Sequence, residues 1–508
     1  MFSSRSSRDQ TGRNDDPETE RFITSDQNPS TENFYRDPHL YRPRRRLLCL
    51  PATIIGYGSV WRVPRPVRRI LSFRRVLLLV AGLLIIVVAI ILREGIPPTF
   101  DDIRQYERDL PQHNLTEALY DTSLNPPGKR RYLRVEGSVS GVGLNNVLQQ
   151  LLHLSFLAHK SGRAFVFEDY TWSHLPYPYT IDEFKLRPAR LPINAIVSGA
   201  SSGGVLSTSG SASQRSVSLE FFDGICPPGN RVVISTADAP REAAVSSGVE
   251  IIDWWLRRLH DVEDEQCVVI QSAKRQVFTW IYYGSELPLS ILPSLISSPT
   301  ITHFLWSPLV MSAVARNFAL LQPSDPGSLL DAGIGTLSTL EGLVAVHLRR
   351  GDFPVHCDYL RTQRETFSAF NKHEKLPDRF DLPPLPDSDA SIKYYQEHCF
   401  PDIEQIVAKL NQVRQDNPSL RRVFLLSNGS RWWLYRLSNK LRDDGWADIM
   451  NTNDLSLDSA QKQVSVAVDM VIAEKAEVFV GNGFSSLSSN VILLRLAKGM
   501  KPESNRHL

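Results

Sequence analysis

The chain has 508 residues, 42% of them hydrophobic, enough for more than one domain with its own core. The formal net charge is only +2, which excludes a general electrostatic affinity for nucleic acid. What positive charge stands out is local: arginines from Arg42 to Arg75 crowd the approach to one apolar run.

Residues 1–75 are polar and lack periodicity, and are expected as a disordered cytoplasmic tail. Val76–Leu92, VLLLVAGLLIIVVAIIL, is 17 residues without a charge, the short end of what a bilayer-spanning helix needs. Too much chain precedes it for a cleaved signal peptide, and no small-residue cleavage site follows. Arginines before the run and acidic residues after it orient the N-terminus to the cytoplasm. The expectation is a single-pass type II protein, lumenal beyond residue 92. So short a span suits the thinner membranes of the endoplasmic reticulum or Golgi. Residues 93–128 are expected as a stem.

Cys226, Cys267, Cys357 and Cys399 fall on the lumenal side. They form two disulfides or stay as free buried thiols; if they pair, Cys357 with Cys399 is favoured, because both flank one proline-rich insertion. The sequons Asn114-Leu-Thr and Asn428-Gly-Ser fit a lumenal domain.

From Arg131 the texture becomes α/β. RYLRVE reads as a strand, GSVSGVGLNN as a glycine-rich loop, VLQQLLHLSFLAHKSG as a helix with Val147, Leu151, Leu154 and Ala158 on one face, and AFVFEDY as a second strand. This is a β-loop-α-β unit of a parallel sheet. INAIVSGASSGGVLSTSGSASQ reads as a mobile Gly/Ser surface loop. RVVIS and CVVIQS are further strands, SPLVMSAVARNFALLQ is a helix opened by Ser-Pro, and PSDPGSLLDAGIG marks a domain boundary. The second half repeats the grammar: strand LVAVHL, a helical stretch broken near Pro401, strand RRVFLLSN, helices SRWWLYRLSNKLRDD and VSVAVDMVIAEKA, strand EVFVGN and a final helix. The fold expected is two Rossmann-like α/β domains facing a cleft, residues 129–335 on the acceptor side and 336–508 on the nucleotide side.

Ligands of parallel sheets gather at the carboxyl ends of the strands, where three loops stand out. In GSVSGVGLNN, Asn145 and Asn146 either cap the following helix or present amides to a ligand. In HLRRGDF, Arg349 and Arg350 follow an uncharged strand; they grip a pyrophosphate or pair with Asp352 or Glu341. In EVFVGNGFSSLSSN, Ser485 and Ser486 open a helix whose start is an anion site, a cap or both.

HLRRGDF, the GLNN loop before a helix and DMVIAEKAEVFVGNGFSS resemble GDP-fucose-dependent protein O-fucosyltransferases and their α1,6-fucosyltransferase relatives, over about Arg131 to Lys498 and in the family's order. The resemblance implies a GT-B arrangement with the donor held mainly by the C-terminal domain. It assigns Arg349 to the donor β-phosphate, His347 to the nucleoside, Asp469 to guanine, Ser485 and Ser486 to phosphate or fucose, and Asn145 to the loop asparagine; Asn146 stands where the family usually has glutamine. Arg350 and Asp352 are expected beside the donor. No metal or other cofactor is expected: the resemblance implies metal-free chemistry, and the one Asp-x-Asp, Asp387-Ser388-Asp389, reads as a helix cap. Glu136, before the glycine loop, is a strand-end carboxylate or the general base. The activity implied is inverting transfer of fucose from GDP-fucose to a protein Ser/Thr or glycan hydroxyl of the secretory pathway. The alternatives are another nucleotide sugar on the same fold, or a non-catalytic lumenal binding protein.

Overall fold

The structure, a computed structural model, describes residues 73–122, 128–137, 142–182, 185–205, 215–240, 246–273, 275–323, 339–384 and 388–508, with only some side chains between 73 and 94. The expected cytoplasmic tail up to residue 72, residues 138–141 of the glycine-rich loop, the boundary segment 324–338 and Asp387 lie outside the described residues. Everything below belongs to one compact unit, Gly58–Leu508.

Two five-stranded parallel sheets organise it. The N-terminal sheet has β1 (Tyr132–Val135), β2 (Ala164–Phe167), β3 (Val217–Ser218), β4 (Val232–Ser235) and β5 (Cys267–Gln271), in the order β3-β2-β1-β5-β4. The C-terminal sheet has β6 (Leu340–Leu348), β7 (Arg422–Ser427), β8 (Asp448–Asn451), β9 (Ala476–Gly481) and β10 (Asn505–His507), in the order β8-β7-β6-β9-β10. In the second sheet the chain runs outward from β6 to β7 and β8, then returns to the other side of β6 with β9. That reversal makes the carboxyl ends of β6 and β9 a topological switch point, where open α/β sheets hold their ligands.

The side-chain alternation of β6 sorts the helices into two layers. Leu343 and Ala345 join an inner core with α2 (Leu144–Lys160), α4 (Pro308–Arg316), α9 (Ser465–Lys475) and α10 (Ser486–Ala497). Val344, Val346 and Leu348 join an outer core with α7 (Ile403–Asp416) and α8 (Arg431–Asp443). The inner core is continuous between the sheets, taking in Leu133, Leu152 and Ile270 from the N-terminal half and Phe424, Val471 and Leu493 from the C-terminal half. Further long helices are α1 (Phe73–Glu94), α3 (Gly248–His260), α5 (Phe353–Thr362) and α6 (Asp389–Cys399), and shorter ones fill the connections. The helical stretch expected to break near Pro401 does so, α6 ending at Cys399 and α7 starting at Ile403. Cys226 is bonded to Cys267 and Cys357 to Cys399.

Several expectations are corrected. Residues 95–122, expected within a free stem, pack onto the N-terminal sheet: Phe100, Leu110 and Ala118 are buried, and Gln112 Nε2 donates to Gly203 O at 2.9 Å and Ser216 O at 2.7 Å. The first part of the Gly/Ser segment is core, with Ile193, Ile196, Val197 and Ser202 buried and Val197–Gly199 paired to Phe304–Trp306. Its glycines serve close approach: Gly199 has φ +115°, and a Cβ there would lie 2.0 Å from His303 O. Helix α4, expected in the N-terminal domain, packs with α9, and Arg316 Nη1 donates to Gln461 Oε1 at 2.9 Å. Val76–Leu92 lies in the 22-residue helix α1, whose described apolar side chains, Leu77 to Val80 and Leu83 to Ile86 among them, are exposed. Among the described residues, no helix is long and apolar enough to cross a membrane.

Candidate functional site

Alternation decides what the two arginines do. Arg349 continues the inner series Ala345, His347; Arg350 continues the outer series Val346, Leu348. Arg350 is buried, its guanidinium held between the rings of Phe400 (4.3 Å) and Trp433 (4.1 Å), with Nη2 donating to Pro401 O at 2.5 Å. Burial lowers its pKa to about 10. The expected pair of phosphate-gripping arginines is therefore corrected to one, because Arg350 is a packing residue of the outer layer. Arg349 lies 5.3 Å from the Phe353 ring and 3.5 Å from Asp352 Oδ1. Asp352, expected at the donor, is instead this partner. Its side chain is 63% exposed, and a pair so open contributes at most about 1 kcal/mol, little to hold Arg349 against a doubly charged anion.

The rest of the inner wall is neutral. His347 is buried, with Nδ1 3.0 Å from Ser488 Oγ. Burial, and then the charge of Arg349, lower its pKa to about 3, so the imidazole is neutral at physiological pH. Ser488 Oγ also accepts from the Asn482 N–H at 2.9 Å, tying the end of β6 to the loop after β9.

That loop is strapped on every side. Asn482 is fully buried; its Nδ2 donates to Cys399 O at 2.7 Å and its Oδ1 accepts from Phe484 N at 3.1 Å. Asn371 Nδ2 donates to Gly483 O at 2.9 Å and to Ser485 O at 3.2 Å. A Cβ on Gly483 would lie 2.3 Å from the Phe367 ring, so only glycine fits there. Ser485 caps α10, its Oγ accepting from Leu487 N at 3.3 Å, and Ser486 is the first, half-buried residue of that helix. The amino end of α10, with its positive dipole, thus opens at the same sheet edge as Arg349.

Asp469, on α9, is buried, and the Thr452 hydroxyl shares its one hydrogen between the two carboxylate oxygens, at 2.9 and 2.8 Å. Burial raises its pKa to about 8, against the lowering by that hydroxyl. Thr452 directly follows β8, which puts the pair at the carboxyl edge of the same sheet.

The N-terminal candidates do other work. Asn145 spends its carbonyl and its Oδ1 on Asn490 Nδ2 of α10, at 2.9 and 3.0 Å, joining the halves. Asn146 is half-buried in the first turn of α2, its N–H donating to Gly143 O at 3.0 Å. Glu136, expected as a base, has one oxygen 3.1 Å from Arg134 Nη1 and the other accepting from Gln271 Nε2 at 3.3 Å. The structure therefore places Glu136 in an ion pair with Arg134 at the end of β1. Ser388 caps α6 by accepting from Ser391 N, as expected of the Asp-x-Asp segment.

Sequence reasoning missed Asn371 and Thr452. Asn482, Ser488 and Asn490 all lie in EVFVGNGFSSLSSN but were given no role there. Asn371 comes from the proline-rich insertion, where nothing in the sequence signals a contact 112 residues away.

A model of the GDP-fucose protein O-fucosyltransferase family matches residues 306–497, the stretch that carries Arg349, Asp469 and Ser485. Over this stretch the chain is similar to that family of fucosyltransferase-like glycosyltransferases. No curated protein matches its sequence. Among solved structures it is similar to POFUT1 in complex with GDP-fucose, with 16% identity, a TM-score of 0.46, and coverage of 74% of this chain and 97% of that one. A mutant of Arabidopsis thaliana FUT1 in complex with GDP gives 10% identity, a TM-score of 0.35 and 78% coverage of each chain. NodZ α-1,6-fucosyltransferase soaked with GDP-fucose gives 13%, 0.35, and 72% and 92% coverage.

The two arginines of HLRRGDF separate by stability. Arg350→Ala removes a buried cation from between two rings and should cost about 2–4 kcal/mol, read as a clear fall in unfolding temperature. Arg349→Ala should unfold close to the parent. Equal falls in the two variants would contradict the division of roles.

Proposed function

We propose that the chain transfers fucose from GDP-fucose to a protein Ser/Thr or glycan hydroxyl, with inversion and without a metal. The observation that carries this is Arg349, just past the carboxyl end of β6, at the sheet edge where the amino end of α10 also opens. Transfer breaks the bond from fucose C1 to the β-phosphate oxygen and forms one from C1 to the acceptor oxygen. The electron pair of the broken bond leaves with GDP, and the acceptor proton passes to solvent. Attack on the face opposite the leaving group turns a β-linked donor into an α-linked product. The barrier falls with whatever stabilises charge on the departing diphosphate, and a guanidinium and a helix dipole at a preorganised edge do this. Neutral His347 adds no competing charge and faces the nucleoside.

Asp469 reads guanine: its carboxylate accepts from the base N–H groups. In the free protein the acid is largely protonated below about pH 8, and the base demands the ionised form. The acceptor is a secretory-pathway glycoprotein or glycan. The two disulfides support an oxidising, lumenal compartment. The exposed apolar face of α1 supports membrane attachment through Val76–Leu92.

Arg349→Ala should lower turnover of GDP-fucose by at least about a hundredfold, as removal of one preorganised charge stabiliser does. Calorimetry with GDP should show affinity rising by up to about tenfold per pH unit from pH 6 toward 8 and then levelling off, because binding must ionise Asp469. Asp469→Asn should flatten that profile; an unchanged slope would remove Asp469 from the guanine site. Binding of GDP-mannose or UDP-sugars in place of GDP-fucose would redirect the donor assignment. Alkaline carbonate extraction should leave the full chain with the membrane pellet, and its release to the supernatant would sink the anchor.

A further inference from the structure

The side chain of Asn428, first residue of the sequon Asn428-Gly-Ser, is already employed. Its Oδ1 accepts from the Arg350 N–H at 2.8 Å and its Nδ2 donates to Arg350 O at 3.3 Å, a two-point clamp on the residue after Arg349. The preceding residue, Ser427, donates through Oγ to Leu348 O at 2.7 Å, on the residue before Arg349. Two consecutive side chains from the carboxyl end of β7 therefore hold the backbone on both sides of Arg349.

The next residue confirms how tightly the loop closes on this amide. Gly351 has φ +67°, and a Cβ there would lie 3.1 Å from Asn428 Nδ2. The Arg350 side chain is pinned in its aromatic sandwich. Around the turn, Arg349 keeps a partly exposed side chain on a backbone fixed before and behind it.

We propose that Asn428, seconded by Ser427, is the positioning residue that aims Arg349 at the donor diphosphate, and that its amide serves this clamp and carries no glycan. The inference rests on the assignment of Arg349 made under Proposed function. The physical reason is preorganisation: a charge that stabilises a transition state does so best when its backbone need not be ordered during reaction, and small misplacements are costly. A sugar on Nδ2 would have to displace the Gly351 turn. Asn114 has no such duty; it is exposed and caps a short helix through Oδ1, at 3.0 Å from Thr116 N.

The test uses the full chain and the release of GDP from GDP-fucose with water as acceptor. Asn428→Ala should lower kcat by about ten- to a hundredfold while changing KM for GDP-fucose by less than about threefold. Asn428→Asp, nearly isosteric, keeps the acceptor for Arg350 N but sets a carboxylate against Arg350 O, and should fall in the same direction should the alanine variant not fold. The double variant Asn428→Ala/Arg349→Ala should be no slower than Arg349→Ala alone, since a clamp with nothing to aim is idle; a merely structural role would make the losses add. Ser430→Asp removes the sequon yet keeps a capping oxygen for α8, and should match the parent; if it copies Asn428→Ala, a glycan and not the amide is at work, and the proposal is overturned. Additive losses, or a folded Asn428→Ala with parental kcat beside an inactive Arg349→Ala, overturn the positioning role alone. Parental turnover in Arg349→Ala overturns the donor assignment itself.

Discussion

A parallel sheet leaves the loops at its carboxyl edge with backbone donors and acceptors that no strand partners, and burying them unpaired is costly. The C-terminal half of this chain meets that constraint with short amide and hydroxyl side chains drawn from distant segments. Ser427 and Asn428 satisfy the turn after β6. Asn482, Ser488 and Asn371 satisfy the turn after β9. None of these groups is charged, and each sits at a hydrogen-bonding distance that permits little movement. The result is a rigid polar rim built from backbone, into which one guanidinium is set.

The electrostatics of the rim follow from the same economy of charge. His347 is kept neutral by burial, Asp469 is kept largely protonated by burial, and Arg350 is withdrawn into the outer layer, where aromatic faces and a carbonyl replace water. What remains at the inner edge is Arg349 with a solvent-exposed partner in Asp352. Water and Asp352 temper the charge of this partly exposed guanidinium, so the neutrality of His347 and Asp469 matters by adding no competing charge beside it.

Much of the fold was legible because its signals are local. Strand and helix periodicity, the Ser-Pro opening of α4 and the break between α6 and α7 all depend on neighbours in sequence. Of the ten strands of the two sheets, β3, β8 and β10 escaped notice; all three are edge strands, β3 and β10 of only two and three residues, and β8, Asp448–Asn451, lacks the apolar run of the central strands. The Gly/Ser segment misled because glycine serves flexibility and tight packing alike, and only the position of His303 O tells which applies at Gly199. The site was legible as motifs but not as directions. The strand alternation through His347 already implied that Arg349 and Arg350 point to opposite layers, a two-residue period that the excess of positive charge obscured. Asn371, reaching from an irregular insertion, had no local signal at all.

The two halves are joined by specific bonds as well as by a shared core. Asn145 bonds Asn490, Gln149 Nε2 lies 3.3 Å from Ser489 Oγ, and Trp306 Nε1 donates to the buried Glu474 at 2.7 Å. Glu474 in turn pairs with Lys498. Beneath these bonds runs one apolar core shared by both sheets. A hinge that parted the halves would strand Glu474 without its indole partner and wet that core, each a cost of the order of a kcal/mol or more. Two sheets joined in this way present a preformed edge. Any movement of one sheet against the other must break these bonds together, so both sheets hold the edge in one geometry.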